Sequence, residues 1–415
     1  MTRGAAERSR IADPSLAPAG EERIRWVARH SPVLNRLARE RLGDGALRGR
    51  RVAVVVHLEA KTAYLATLLA EAGAEVVAAA SNPGTTQDAI CAALVERGIE
   101  VHGTHMANLP EFEADLLAAA DSAPEIVVDD GAELTIRMVE RRPDLAARLV
   151  GVTEETTTGV VRLRALEAAG RLSFPAIAAN DAACKHLFDN RYGTGQSTLT
   201  AILRLTNLSA AGKNVCVIGY GWVGKGLARY AEGLGARVVV VEIDPVAALE
   251  AYMDGHRVAT LRHAVPEAEI VITATGGIEA LGGDALAGLT DGVVLANAGH
   301  HDREIDVEAL GPGEEVRPGV TRHELPHVGH VFLLAGGRLV NIAGADGHPV
   351  AIMDLSFSVQ ALAAHLLASR QLEPGVHDLP AELDREIART KLATLGIELD
   401  GPTAAQRAFA ESWSV

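Results

Sequence analysis

The sequence predicts an α/β protein: a Rossmann-type domain, a discontinuous α/β domain beside it and a small helical C-terminal segment. Three observations lead there. Short β-branched and small apolar runs alternate with helix-compatible stretches along the chain, the pattern of βα units around a parallel sheet. One run, Val215-Cys216-Val217-Ile218, ends in the glycine cluster Gly219-Tyr220-Gly221-Trp222-Val223-Gly224-Lys225-Gly226 and opens a helix. The chain has 415 residues, 48% hydrophobic and 22% charged, enough to bury the cores of two or three domains.

Taken in order, residues 1–20 are polar with Ala and Pro, and are expected to be mobile. They lack an apolar h-region, so no secretory signal is expected. Residues 21–41 read as a helix with Ile24, Trp26, Val27, Leu34 and Leu37 as its buried stripe. Residues 51–56 are a strand apolar enough to be covered on both faces. His57-Leu58-Glu59-Ala60-Lys61-Thr62 follows at its C-terminal end and leads into a helix over 63–72. Ligands gather beyond the C-terminal ends of strands in open α/β sheets. Position alone does not separate a site there from a solvated turn.

A strand over 74–80, a polar loop over 81–88 and a helix over 89–97 come next. The strand at 125–128 ends in Asp129-Asp130-Gly131, two adjacent acids that are costly at a buried strand end unless paired or open to a site. Residues 147–150 approach Gly151-Val152-Thr153-Glu154-Glu155-Thr156-Thr157-Thr158-Gly159, which by itself fits a helix cap and a solvated turn. Residues 175–178 lead to Asn180-Asp181 and to the segment carrying Lys185 and Asp189. These two share a helix face. On the surface they are an ordinary salt bridge; in a cleft they can handle protons.

A helix over 196–205 then enters the glycine-rich unit. Gly219 permits the turn, Gly221 lets backbone approach a pyrophosphate, and Gly224 lets helix and strand pack closely. The helix N-terminus offers free N–H groups to phosphate. A strand over 236–241 ends at Glu242, roughly 20 residues past the glycines, where a carboxylate binds the adenosine ribose hydroxyls of NAD. No Arg follows it, so NAD is expected over NADP. Further strands are read at 269–276, 292–297 and 338–341. A helix over 352–367 and amphipathic helix over 379–415, with breaks at Gly396 and Gly401-Pro402, close the chain.

Composition excludes several function classes. Aromatic residues make up 3% and the net charge is −15, which opposes stacking on single strands and binding of phosphate backbones. Cys91, Cys184 and Cys216 are far apart and odd in number, unlike a disulfide framework or a zinc site, and fit a reducing cytoplasm. No uninterrupted apolar stretch reaches the ~20 residues of a membrane span. Neither nucleic acid, membrane nor metal is expected as a partner.

The ordered set of motifs resembles S-adenosyl-L-homocysteine hydrolases from about His57 to Trp413. Its carriers are His57–Thr62, Thr86-Gln87-Asp88, Asp129-Asp130-Gly131, Glu154–Gly159, Phe188-Asp189-Asn190-Arg191-Tyr192-Gly193, the glycine cluster, Gly299-His300 and Gly347-His348-Pro349. The resemblance implies reversible hydrolysis of a nucleoside thioether through a catalytic NAD, with transient oxidation at the ribose 3′ position. It implies Lys185 and Asp189 at the 3′-hydroxyl and 4′ carbon, with the lysine helped by burial to lose or share a proton. It places His57, Asp130 and His300 near the 5′ position, without singling out one acid or base. Glu155 is implied at the ribose hydroxyls, Glu59, Lys61, Thr62, His301 and His348 around the substrate, and Asn180 and Asn190 orienting the lysine and cofactor side. Thr156, Thr157 and Thr158 are implied beside the nicotinamide and Asn341 at its carboxamide.

Two departures bear on specificity. Glu59 and Lys61 stand in a form similar to the archaeal and thermophilic bacterial branch, some members of which are proposed to act on the inosyl thioether. His301 stands where the family usually has Phe. The terminal residues lack the Lys- and Tyr-containing tail that contacts a neighbouring subunit's NAD in longer members, so that contact is not carried over. The resulting expectation is a substrate domain over 1–190 with a return over 347–385, a Rossmann domain over 191–346, and an oligomerisation segment over 386–415 in a homotetramer or homodimer. Adenosyl substrate leads; an inosyl substrate, a paralogue epimerising or eliminating on another nucleoside, and a non-catalytic NAD-binding regulator are its rivals.

Overall fold

The computed structural model describes residues 3–300 and 302–413. His301 lies outside the described residues. Strands β1 (Arg51–Val56), β2 (Glu75–Ala80), β3 (Glu100–His102), β4 (Ile126–Asp129), β5 (Gly151–Glu154) and β6 (Pro175–Ala178) come first. Then follow β7 (Asn214–Ile218), β8 (Arg237–Val241), β9 (Arg257–Val258), β10 (Ile270–Thr273), β11 (Val293–Asn297), β12 (Gly313–Arg317), β13 (Val320–Leu325), β14 (Gly329–Leu334) and finally β15 (Gly375–Asp378). Among the described residues they form two sheets, ordered β15-β6-β5-β4-β1-β2-β3 and β12-β13-β14-β11-β10-β7-β8-β9. The first is parallel throughout. The second is parallel except for the pairs β12·β13 and β13·β14.

The strand sequences explain the layering. In β1, Val52, Val54 and Val56 pack into one apolar cluster with the helix Val350–Ser369, while Ala53 and Val55 pack into another on the opposite face. Alternate side chains point to opposite faces, so a continuous apolar run means helices on both. The helix Val350–Ser369 is long and apolar enough to cross a membrane by composition alone. Its place explains that composition: Phe357, Val359, Leu362 and Ala363 are buried in the core of the first sheet. It carries the chain back from the second sheet to the first, where β15 pairs with β6.

Both sheets have a switch point facing the same space. In the first sheet β1 lies between β2 and β4; in the second β7 lies between β8 and β10. The crevices where strand order reverses are the ligand sites of open α/β sheets.

Several local expectations are corrected. The stretch 3–20 is packed, not mobile: Arg3–Arg8 is helical, and the Arg10 N–H and C=O bond to Val101 and Gly103 at the edge strand β3. The helix read over 21–41 is two, Ala17–Arg29 and Pro32–Glu40, because Pro32 cannot continue a helix but opens one well. Trp26 is 63% exposed and packs at a tilt against His30 instead of joining the buried stripe. Residues 338–341 are not a strand; a short helix, Val340–Ala343, starts there. The helical end divides into Ala381–Thr394 and Ala404–Glu411.

Candidate active site

A cavity of about 480 Å³ lies between the C-terminal edges of the two sheets. Its walls follow from the strand ends. His57 follows β1, Asp130 follows β4, and Glu155 follows β5. Across from them, Gly221 and Trp222 follow β7, Ala274–Gly276 follow β10, and Gly299 and His300 follow β11. Of the residues picked from sequence, His57, Glu59, Lys61, Thr62, Asp130, Glu155, Thr156, Thr157, Thr158, Lys185, Asp189, Asn190, Gly221, His300 and His348 all line it. Glu242, Asn341, Gly219 and Gly224 do not.

At one end Lys185 is buried among three acceptors. Its ammonium donates to Asn190 Oδ1 at 2.8 Å and lies 3.2 Å from Asp189 Oδ1 and 3.4 Å from Glu155 Oε1. Asn190 in turn donates to Asn180 Oδ1 at 3.0 Å. The segment His186–Gly193 is a π-helical turn, a rare form concentrated at functional sites, and it brings Asp189 beside Lys185. Burial pushes the Lys185 pKa down, but the Asp189 and Glu155 carboxylates more than offset it, so the net shift is upward. Burial thus acts in the expected direction, toward loosening the proton, and the two carboxylates outweigh it.

Asp189 is held well below the usual carboxylate range: burial raises it, and Lys185 and His348 outweigh burial. His348 Nδ1 lies 3.1 Å from Asp189 Oδ1, and its Nε2 lies 3.1 Å from Thr194 Oγ1. Both ring nitrogens are thus engaged with protein, which leaves the ring itself as cavity wall. Glu155 is fixed by Ser356, whose hydroxyl donates at 2.6 Å, and by the Gln360 amide. Burial raises its pKa against the opposing pull of Lys185.

The second cluster is His57, Asp130 and His300, whose polar atoms lie within 4.8 Å of one another. His57 Nε2 is 3.4 Å from Asp130 Oδ2, and His300 Nδ1 is 3.9 Å from Asp130 Oδ1. His57 Nδ1 lies 2.7 Å from Thr85 Oγ1, whose own proton goes to the Asn82 carbonyl at 2.9 Å. A hydroxyl has one proton, so Thr85 accepts from His57 Nδ1–H and leaves Nε2 with its lone pair toward Asp130. Burial lowers the His57 pKa, partly offset by Asp130, and favours this neutral form. Asp130 also accepts from Ser81 Oγ at 3.2 Å.

Beneath this cluster Glu154 accepts from the N–H groups of Gly131, Ala132 and Thr156 at 2.9, 2.8 and 2.9 Å. It ties the Asp130 turn, with Ala132 at φ 55°, to the threonine loop. Burial and the neighbouring Asp129 and Asp130 raise its pKa well above the ordinary value. Glu154, Thr85, Ser81, Ser356 and Gln360 were not singled out from sequence. Ser356 and Gln360, four apart on a largely apolar helix, are a usable signal: buried polar side chains there must serve a partner.

At another part of the cavity wall Glu59 caps its helix, accepting from Lys61 N and Thr62 N at 3.1 and 3.3 Å. Lys61 Nζ lies 2.7 Å from Glu59 Oε2 and donates to the Asp346 carbonyl at 2.9 Å. Thr62 Oγ1 is buried without a hydrogen-bond partner among the described residues.

The residues present fit a dinucleotide. Gly219 has φ 101°, and a Cβ at Gly224 would fall 1.9 Å from the Gly219 carbonyl oxygen, so both must be glycine. At Gly221 a Cβ would meet nothing within 4 Å, which leaves open room over the N-terminus of Trp222–Gly233. Glu242 accepts from Tyr220 N, Ile243 N and Asp244 N at the end of β8. Asn341 is fully buried and donates to Ser197, while its Oδ1 lacks a partner among the described residues.

Comparison with known proteins agrees with this geometry. Residues 8–145 match the family model described as S-adenosyl-L-homocysteine hydrolase, and residues 190–347 match its NAD binding domain. The chain is 48% identical over 409 residues to an adenosylhomocysteinase of Thermococcus kodakarensis, covering 97% of each chain. It is 49% identical to one of Thermotoga maritima, covering 95% of this chain and 99% of the other. It is 47% identical to an S-inosyl-L-homocysteine hydrolase of Methanopyrus kandleri, covering 97% of each. On these matches, spanning both sheets and the cavity between them, the chain belongs to the S-adenosyl-L-homocysteine hydrolase family.

Proposed function

We propose that this chain catalyses the reversible hydrolysis of S-adenosyl-L-homocysteine to adenosine and L-homocysteine, with NAD held in the second domain. The observation that carries the reading is the buried Lys185–Asp189–Glu155 group, which shares one cavity with the His57–Asp130–His300 group. Bound NAD supplies reversible hydride acceptance at the ribose 3′ carbon, which acidifies the 4′ C–H and lets the 5′ thiolate leave.

The protein's groups manage the protons. Lys185 takes the 3′-hydroxyl proton while passing one of its own to Glu155, the neighbouring carboxyl that burial keeps above its ordinary pKa. Asp189, kept ionised, holds the ammonium in place and faces the 4′ carbon as base. At the other end the neutral His57 Nε2 and Asp130 flank the 5′ carbon. They protonate the departing thiolate from the water that enters, so the thiol leaves with one proton and the hydroxyl stays on the 5′ carbon. Thr156, Thr157 and Thr158 wall the cofactor side, with Gly219, Gly221 and Gly224 cradling its phosphates, Glu242 at its ribose and Asn341 toward its carboxamide. Asn190 and Asn180 keep Lys185 oriented.

A second reading, the inosyl thioether as substrate, is favoured by Lys61. Glu59 already accepts from two backbone N–H groups and the Lys61 ammonium. Lys61 uses one proton on Glu59 and one on Asp346, leaving a third donor for a purine acceptor, which suits O6 of hypoxanthine.

We assign the substrate domain to residues up to 190 and 347–385, with the cofactor domain at 191–346. A cytoplasmic homo-oligomer, dimer or tetramer, is expected; exposed Phe409 and Trp413 in the 386–415 segment support association there. Purified holoenzyme given the adenosyl and inosyl thioethers separately, with free thiol and bound NADH measured, tests the reading. Thiol from the adenosyl compound is expected. Thiol from the inosyl compound alone transfers the assignment to the second reading, and reduction without thiol points to a repurposed paralogue. Neither signal points to a regulator. Lys185→Ala is expected to reduce bound-cofactor reduction by ~100-fold or more; reduction at the parent rate sinks the role of Lys185.

A further inference from the structure

The substrate proposed above has two parts, a nucleoside and a zwitterionic amino acid joined through sulfur. The cavity of about 480 Å³ is assigned above to the nucleoside and the cofactor side. A second cavity, of about 710 Å³, lies on the other side of His300, which lines both. It runs between Ser81–Gly84 and Met106–Phe112 of the first domain and Ile278, Asp302, Arg303 and Arg338 of the second. Because His300, proposed above to stand near the 5′ carbon, lines both cavities, the second adjoins the end of the nucleoside from which the amino-acid half extends.

The charges in this cavity are unevenly used. Glu133 and Arg162 are paired with each other at 2.8 Å, and Glu133 also holds Arg137 at 2.7 Å. Arg338 donates Nε to the Ala335 carbonyl at 2.8 Å and packs along Gly84, so it serves as a strut between the domains. Asp302 and Arg303 differ. They are consecutive, exposed, and form no ion pair or side-chain hydrogen bond among the described residues. An anion and a cation side by side, unneutralised and lining a cavity, match an α-ammonium and an α-carboxylate on one carbon.

We propose that the cavity beyond His300 is the subsite for the amino-acid half of the substrate, with Arg303 receiving the α-carboxylate and Asp302 the α-ammonium. This rests on the hydrolase reading above. It gives the enzyme a way to select its thiol in the synthetic direction, independently of the nucleoside. The same subsite accepts any thiol of this length that carries both charges and discriminates against those lacking one.

The test runs the reaction toward synthesis with holoenzyme, a saturating nucleoside and one of three thiols: L-homocysteine, 3-mercaptopropylamine, which lacks the carboxylate, or 4-mercaptobutanoate, which lacks the amine. The parent is expected to prefer homocysteine in kcat/KM by about tenfold or more over each. Arg303→Ala is expected to erase the preference over 3-mercaptopropylamine and keep that over 4-mercaptobutanoate. Asp302→Asn is expected to do the reverse, and Arg303→Lys to restore part of the carboxylate preference. A variant that is merely less well folded lowers all three rates together and does not cross over. Parallel loss on all thiols, or unchanged preferences in both variants, overturns the subsite. If the parent makes no thioether from any thiol, the hydrolase reading fails instead.

Discussion

At the residue scale, function rests on protonation states set by neighbours. His57 is an instructive case because three influences act on it. Burial lowers its pKa most, Asp130 raises it, and His300 lowers it further. The folded imidazole therefore titrates below the ordinary ~6.5 of a free histidine. The unfolded chain binds that proton first, so this histidine's contribution to stability is present above ~6.5 and is lost as pH falls toward the folded pKa. In Asp130→Asn the restoring charge disappears, and the His57 pKa moves down again. NMR titration of the His57 ring in the parent and in Asp130→Asn checks this; a midpoint that rises in the variant contradicts the assignment. The same geometry keeps Nε2 a base at neutral pH, as the role proposed for it at the 5′ carbon requires.

At the element scale, backbone approach decides more than side-chain identity. Gly226 and Gly221 lie on or beside one helix and make opposite demands. A Cβ at Gly226 would sit 1.8 Å from the Arg191 carbonyl oxygen, so the helix Trp222–Gly233 meets the π-helical turn through bare backbone. Gly226→Ala is expected to cost about 1–3 kcal/mol in urea unfolding and to lower turnover, since Arg191 adjoins Asn190 and Asp189. Gly221→Ala meets nothing within 4 Å. It should leave urea stability of the cofactor-free protein nearly unchanged and weaken NAD binding, measured by calorimetry. Equal effects from the two substitutions would contradict this division. Such contacts also explain what sequence could and could not reveal. Buried parallel strands such as β1 and β7 are legible because apolar residues fill both faces, and the site residues next to them inherit their placement. The hairpins β12–β14 are not legible: β12 is exposed at every position, with no apolar alternation to read. The turn at 338–341 mixes two apolar residues with two polar ones, too short a run to show a period, and tertiary packing makes it helical from Val340 onward. Thr85 as the partner of His57, and the Asp346 carbonyl as an acceptor for Lys61, depend on chain segments brought together only by folding.

At the scale of the whole molecule, the two sheets meet along one cavity, and each contributes its switch crevice to it. A ligand spanning both walls binds the folded arrangement and not the unfolded chain, so it must stabilise that arrangement by mass action. At about 100 times its dissociation constant, NAD adds ~2.7 kcal/mol. For a chain of this size that amounts to roughly 3 °C in Tm. Stripping the cofactor should lower the calorimetric transition by that amount, and the first domain should follow the second because Lys185, Asp189 and Asn190 line the cavity shared with the glycine turn. Adding NAD back should restore the transition. Adding NADP at the same concentration should restore less, because Glu242 stands at the end of β8 with both oxygens accepting backbone N–H groups and repels a 2′-phosphate. Equal recovery with the two dinucleotides would remove Glu242 from the ribose site. A transition unmoved by either would mean that the glycine turn after β7 holds no dinucleotide.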